Sequence, residues 1–319
     1  MLIRLEKGVG KVKEKLIDVT NEVRKVIKGK DEVIDKVLAS ILAGGHILLE
    51  DIPGVGKTTL AVAFSKVMDL EYRRVQFTPD VLPSDIVGFS MYNNKTGEFE
   101  YKQGSILCNL FLADEINRTS PKTQSSLLEV MEEKKVTVDG VTRKLPDPFI
   151  VIATENPLGS SGTQKLPESQ LDRFMVCLSI GYPEHTYAIN ILKDNAANLL
   201  DQVPQIISGE EVVQLQKEVE NMYVHDSMYD YIVTLTEKTR SNINLMLGVS
   251  PRGSIALLKM AKAMALIRGR NFLIPEDVHA VFKDVFGHRV KLSPKGKANG
   301  VNVEMALEEI FRSVIPPRT

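Results

Sequence analysis

The chain has 319 residues, 43% hydrophobic and 25% charged, with 40 Lys and Arg against 41 Asp and Glu for a net charge of −1. These values fit a folded chain of about two domains and exclude disorder, collagen and a coiled-coil rod. A near-neutral balance gives no whole-surface attraction for nucleic acid or an anionic membrane. Residues 1–43 read as helical: Leu16, Val19, Val23 and Val26, then Val33, Val37 and Ile41, recur at three- and four-residue steps until Gly44-Gly45 ends the pattern. Short apolar or β-branched runs at 46–50, 72–77, 109–114, 148–154 and 175–180 then alternate with helical stretches. That alternation predicts an α/β domain, a parallel sheet with helices on both faces.

Two segments interrupt the alternation. Around Asp139-Gly140, β-forming residues flank a pair that tolerates positive φ, which predicts a hairpin near 134–146. Residues 88–101 read as a second, looser hairpin. Beyond Tyr182-Pro183 the strand pattern ends and helical periodicity takes over at 185–200, 209–220, 226–240, 252–268, 275–286 and 302–313. The expected division is therefore an α/β domain over 1–182 and an all-α domain over 183–319. The two cysteines, Cys108 and Cys177, lack metal-ligand spacing, and the five histidines form no metal-spaced cluster. The longest apolar run, 37–49, is too short for a membrane span, so a cytoplasmic setting without a transmembrane segment is expected.

After the first strand comes Glu50-Asp-Ile-Pro53-Gly54-Val55-Gly56-Lys57-Thr58-Thr59, followed by a helical run. A strand, a glycine loop and a helix N-terminus make an anion cradle: backbone N–H groups converge, the helix dipole is positive there, and a lysine adds charge. Phosphate is the natural guest. The strict P-loop pattern has glycine six residues before the lysine, where this chain has Asp51. Further along, Leu110-Phe-Leu-Ala-Asp114-Glu115 ends a strand in two carboxylates. The first suits a Mg²⁺ ion shared with Thr58, and the second suits polarising a water that attacks a γ-phosphate. Either motif alone is weak; together they are specific.

Together these stretches resemble the MoxR family of AAA+ ATPases. The resemblance rests on the phosphate loop and the Asp114-Glu115 strand. It is carried further by Val26-Ile-Lys-Gly29, Phe77-Thr-Pro-Asp80, Ala153-Thr-Glu-Asn-Pro157, Leu166-Pro-Glu-Ser-Gln-Leu-Asp-Arg-Phe174 and Val249-Ser-Pro-Arg-Gly253, in order over roughly residues 20–285. It implies an AAA+ P-loop NTPase with a five-stranded parallel sheet flanked by helices and a C-terminal helical lid, using ATP and Mg²⁺. It further implies that Pro53, Gly54, Val55, Gly56, Lys57, Thr58 and Thr59 cradle the nucleotide, that Val26 and Ile27 meet adenine, and that Thr58 and Asp114 hold the metal. Glu115 would be the base, and Asn156 and Arg252 would reach the γ-phosphate. Arg173, with Arg118 as competitor, would act on a neighbouring subunit's nucleotide, and Arg240 is a weaker candidate near the phosphates. Ser250 and Pro251 read as N-cap and first residue of a helix, which leaves Arg252 opposing the helix dipole.

The same resemblance implies a homo-oligomeric ring, a hexamer, remodelling a protein client with a von Willebrand factor A-domain adaptor, the two hairpins facing pore or substrate. Three rival readings stand beside it: a DNA-associated motor, disfavoured by the net charge; a nucleotide-gated scaffold with little turnover, disfavoured by Glu115; and a small-molecule kinase, disfavoured because the C-terminal segment resembles an AAA+ lid rather than a substrate flap.

Overall fold

In a computed structural model describing residues 2–157, 164–193 and 196–318, the alternation becomes an ordered succession of elements. Helices α1 (Leu2–Val26) and α2 (Asp31–Leu42) precede strand β1 (Ile47–Glu50), helix α3 (Lys57–Val67) and strand β2 (Tyr72–Gln76). Helix α4 (Pro83–Val87) leads into strands β3 (Gly88–Asn93) and β4 (Glu98–Gln103). After β5 (Leu110–Asp114) come α5 (Pro121–Glu133), β6 (Lys135–Val138), β7 (Val141–Lys144), β8 (Ile150–Glu155), α6 (Glu168–Leu171) and β9 (Val176–Leu178). The remainder is α7 (His185–Lys193), α8 (Ala196–Asp201), α9 (Gly209–Glu220), α10 (Asp226–Ser241), β10 (Leu245–Leu247), α11 (Pro251–Ile267), α12 (Pro275–Phe286), β11 (Lys291–Leu292), α13 (Pro294–Ala298) and α14 (Val303–Ser313).

The five expected strands form one parallel sheet in the order β2-β5-β8-β1-β9. Strict side-chain alternation divides its core in two. Ile47, Leu49, Leu110, Leu112, Ile150 and Ile152 enter one apolar cluster, whereas Leu48, Phe111, Ala113, Val151 and Ala153 enter the other. The first cluster holds residues of α1, α2 and α3 and continues into α9 to α12, so the helical segment shares its core with one face of the sheet. The second is closed by α4 and α5. A sheet buried on both faces requires such continuous apolar strands.

Both hairpins form, pairing β3 with β4 and β6 with β7 in antiparallel register. Asp139 and Gly140 take φ of 51° and 76°, the positive values that the Asp-Gly turn requires. The helical part differs from its expected form in one respect: β10 and β11 make a two-stranded ribbon, too short to give a period-two pattern in sequence. Among the described residues no helix is long and apolar enough to cross a membrane.

Candidate nucleotide site

The site lies where the parallel strands end. Gly56, at φ 97°, is the N-cap of α3, and Gly54 turns the preceding loop at φ 84°. A side chain would strain the backbone at both, so glycine is what allows strand β1 to reverse into the helix. Lys57 is the first helical residue, 9% exposed, and its Nζ donates to the carbonyls of Asp51 at 2.6 Å and Ile52 at 3.2 Å. Burial lowers its pKa, opposed by the charges of Asp51, Asp114 and Glu115. A cation so placed gains from any anion that enters the loop.

Asp51 replaces the glycine of the strict pattern and has its own task. Its Oδ2 accepts from Ser179 Oγ at 3.1 Å and from the backbone N–H groups of Ile180 and Gly181, the latter at 2.9 Å. The loop is thereby fastened to the chain leaving β9 toward the helical segment.

Strand β5 delivers the two carboxylates. Thr154 on the neighbouring β8 donates to Asp114 Oδ1 at 2.6 Å and accepts from the Glu115 N–H at 2.8 Å, fixing both residues through one hydroxyl. Glu115 has φ 56° and ψ 51°, a left-handed conformation that costs a non-glycine residue on the order of 1 kcal/mol and that breaks the strand to turn its side chain. Its Oε2 accepts from Arg118 Nη1 at 2.6 Å.

One cavity of about 370 Å³ is lined by Pro53, Gly54, Gly56, Lys57, Thr58, Thr59, Arg74, Gln76, Asp114, Glu115 and Asn156. It gathers most of the residues singled out from sequence and adds Arg74 and Gln76 from the edge strand β2. Arg74 binds Asp114 Oδ2 through Nη2 at 2.6 Å and Nε at 3.2 Å. Neither could be read locally, because the register of β2 against β5 brings them there. The donor set of Thr58 hydroxyl and Asp114 carboxylate consists of hard oxygens, which fits Mg²⁺. Among the described residues no group of three or more His, Cys, Asp or Glu forms a metal cluster.

Val26, Ile27 and Val55 do not line this cavity. Ile27 nonetheless reaches the loop, since a Cβ on Gly56 would lie 3.5 Å from its Cδ1. Two residues on, the backbone of Gly29 passes so close to the Tyr187 ring of α7 that a Cβ would come within 2.4 Å.

Four arginines complete the inventory, and the cavity contains none of them. Arg173 donates to the Leu128 carbonyl at 2.7 Å and pairs with Glu132 at 3.3 Å. Arg252 follows the expected N-cap, Ser250, whose hydroxyl accepts from the Gly253 N–H at 3.2 Å, and it also pairs with Glu132. The reach of Arg252 to the γ-phosphate of its own subunit is therefore not supported in this arrangement: its partner is a carboxylate of α5. Arg118 sits on its own subunit's Glu115, and Arg240 donates to the Val249 carbonyl at 2.9 Å instead of facing the phosphates.

His46 explains one residue left without a role. Its Nδ1 accepts from the Val151 N–H at 3.0 Å and its Nε2 faces the Met131 carbonyl at 3.0 Å, so the neutral ring bridges sheet and α5. Burial lowers its pKa to about 4.

Comparison with known proteins agrees with this geometry. Residues 46–176 match the model of the ATPase family associated with various cellular activities, and residues 237–310 match the AAA lid domain. Chaperone MoxR1 of Mycobacterium tuberculosis is 37% identical over 93% of this chain and 81% of its own length. YeaC of Bacillus subtilis, an uncharacterised protein, is 47% identical over 92% of each. A crystal structure of an ATPase candidate from Cytophaga hutchinsonii superposes with a TM-score of 0.91 at 37% identity over 99% of both chains. A parallel sheet that presents a phosphate loop beside two strand-end carboxylates, a helical lid, and relatives matched over nearly their whole length together make this chain a member of the MoxR family of AAA+ ATPases.

Proposed function

We propose that the chain hydrolyses ATP with Mg²⁺ as part of a ring, a hexamer, in which nucleotide lies between subunits, and that hydrolysis drives chaperone-like remodelling of a protein client. The observation that carries this reading is the single cavity joining Lys57, Thr58, Asp114, Glu115 and Asn156.

In this reading the N–H groups at the start of α3 and the Lys57 ammonium take the β- and γ-phosphates, exchanging the lysine's two carbonyl contacts for charged oxygens. Thr58 and Asp114 would hold Mg²⁺, which supplies charge neutralisation for the departing phosphate. Glu115, turned out of the strand, accepts a proton from the attacking water, and the Asn156 amide orients that water or the γ-phosphate. Ile27 and Val26, with Tyr187 against Gly29, form the side toward adenine.

Arg173 and Arg252 act on the neighbouring subunit's nucleotide. Their absence from the cavity of their own subunit, and their shared ion pairing to Glu132 of α5, favour this assignment. A planar cation brought to the γ-phosphoryl group in this way is worth about 10³–10⁵ in rate. The hairpins β3–β4 and β6–β7 face client or pore. The name of the mycobacterial relative is that of a chaperone, which supports a protein client, and an adaptor with a von Willebrand factor A domain fits the same scheme.

The test is specific ATPase activity with Mg²⁺ across a range of protein concentrations. The rate is expected to rise with concentration as neighbours complete the sites. A rate equal at all concentrations in a chain that sizes as a monomer would overturn the ring; no hydrolysis would favour the nucleotide-gated scaffold.

A further inference from the structure

We infer that Glu132 is a positioning residue that joins Arg173 and Arg252 into one outward-facing pair of guanidinium groups for the γ-phosphate of a second copy of this chain. The inference rests on the proposed action of these arginines between subunits and adds the residue that holds them together.

One carboxylate serves both cations. Glu132 Oε2 pairs with Arg173 Nη1 at 3.3 Å, while its Oε1 pairs with Arg252 Nη2. The arginines come from different parts of the chain, the loop before β9 and the first turn of α11. Their placement is costly taken singly. Arg252 is the second residue of its helix, at the positive end of the dipole, and Glu132 is the last but one of α5, at the negative end. Each is in an unfavourable place by itself; each supplies the charge the other lacks.

The contacts close into a circuit. Asp172, beside Arg173, accepts from Ser250 Oγ at 2.8 Å, and Ser250 caps the helix that carries Arg252. Asp172 is held in turn by the Arg289 Nε at 2.8 Å, a guanidinium buried to 6% exposure that also donates to the backbone carbonyls of Asp172 at 3.1 Å and Met175 at 3.1 Å. The path Asp172, Ser250, Arg252, Glu132, Arg173 thus fixes the two guanidinium groups at both root and tip. The side chains remain 31% and 46% exposed, so the pair is held at Glu132 yet accessible. Each guanidinium has five donors, and Glu132 engages one nitrogen of each, leaving others for a phosphate. Preorganised donors stabilise developing charge without reorganising during the reaction.

The nearby carboxylates do not compete for this role. Glu133 pairs with Lys135 at 3.0 Å, and Glu129, which lines the same shallow cavity of about 270 Å³, has no ion pair to either arginine.

The experiment uses subunit mixing with the full chain. E132Q and E132A should bind a fluorescent ATP analogue as wild type does, because the bound subunit's own cavity is unchanged. Their kcat should fall about tenfold or more with KM within about twofold, as expected when a reacting geometry is displaced. Mixed with the base-deficient E115Q, which keeps its own arginine pair, E132Q and E132A should recover hydrolysis at mixed interfaces as R173A does at the same ratio; no recovery where R173A recovers would place the defect in the variants' own cavity and overturn the inference. E132Q added to a chain that already carries R173A and R252A should lower kcat by no more than about twofold further, since both groups it positions are gone. Wild-type kcat in both Glu132 variants would overturn the inference, as would increased turnover, which would make Glu132 an inhibitor of the pair. Loss of nucleotide binding by both variants would also overturn it, making the contact structural. A different result tests the parent reading: if R173A mixed with E115Q recovers no hydrolysis at any ratio, or R173A alone has normal turnover, the action between subunits fails irrespective of Glu132.

Discussion

The phosphate cavity and the Glu132 cluster use the same physics to opposite ends. The cavity is built at the ends of adjacent parallel strands, and its loop, lysine and carboxylates all converge inward. The cluster draws on α5, the loop before β9 and the start of α11, and its two cations remain open to solvent. In the first, cation and anions are arranged around a space within one chain. In the second, two cations share one carboxylate and remain exposed, and in the proposed ring they would meet a neighbour's nucleotide. A catalytic centre divided in that way would couple hydrolysis to assembly, because neither half would act alone.

The largest losses are expected at the inward site. K57A should abolish ATP binding, reducing affinity at least about 100-fold, since the cavity loses its one buried ammonium. E115Q should separate binding from turnover: the analogue binds normally while hydrolysis falls by about 10²–10⁴, the range for loss of a general base. Normal hydrolysis by E115Q would reassign the base and leave Arg118, its partner at 2.6 Å, without explanation.

The outward site should be less absolute. R173A and R252A are each expected to retain analogue binding and to lose turnover by about 10²–10³, below the full effect of an arginine finger because one cation of the pair remains. If R252A instead weakens ATP binding to isolated subunits, Arg252 reaches its own nucleotide and the lid must rotate away from Glu132.

A milder change sharpens the inward site. Arg74 makes two contacts to the carboxylate assigned to the metal, so R74A should lower the Mg²⁺ concentration for half-maximal analogue binding several-fold, as removal of a competing cation from Asp114 requires. A requirement for more Mg²⁺ would instead make Arg74 a phosphate ligand. Loss of the Asp51 acceptor is expected to act on stability: D51A leaves the N–H groups of Ile180 and Gly181 unpaired, at about 1–3 kcal/mol in denaturant unfolding.

How much of each site was legible follows from the range of its interactions. The phosphate loop and the strand-end carboxylates are local, and so is the Asp139-Gly140 turn, whose positive φ values only a few residue types accept. The inner strands were visible as apolar runs, because burial on both faces leaves little room for polar residues, whereas edge strand β2 carries Arg73, Arg74 and Gln76. Arg74 was hidden because its meaning depends on which strand lies beside β2. Glu132 was hidden for a stronger reason: it stands 120 residues from Arg252, and a glutamate on the exposed face of a helix, near its end, is ordinary until both partners are in place. Asp51 was visible only as a departure from a pattern; its hydrogen bonds to the chain after β9 supply the cause.

The smallest expected effect lies just beneath the inward site and concerns Glu155, the residue before Asn156. It stands in register with Glu50 on β1, and burial together with the Glu50 charge raises its pKa from 4.5 to about 7, against a hydrogen bond from the Leu166 N–H and the nearby Lys165. A carboxyl with a raised pKa binds its proton more tightly folded than unfolded. Its contribution to stability is therefore complete below about pH 4.5 and is lost as the pH rises through about 7. E155Q keeps the shape and cannot ionise, so its melting temperature should match that of wild type near pH 4.5 and exceed it by a few degrees at pH 8. Equal melting temperatures across that window would mean that Glu155 shares its proton with no cost to folding. A lower value for E155Q at pH 8 would mean that the carboxylate is needed beside Asn156, placing a second charge requirement at the inward site.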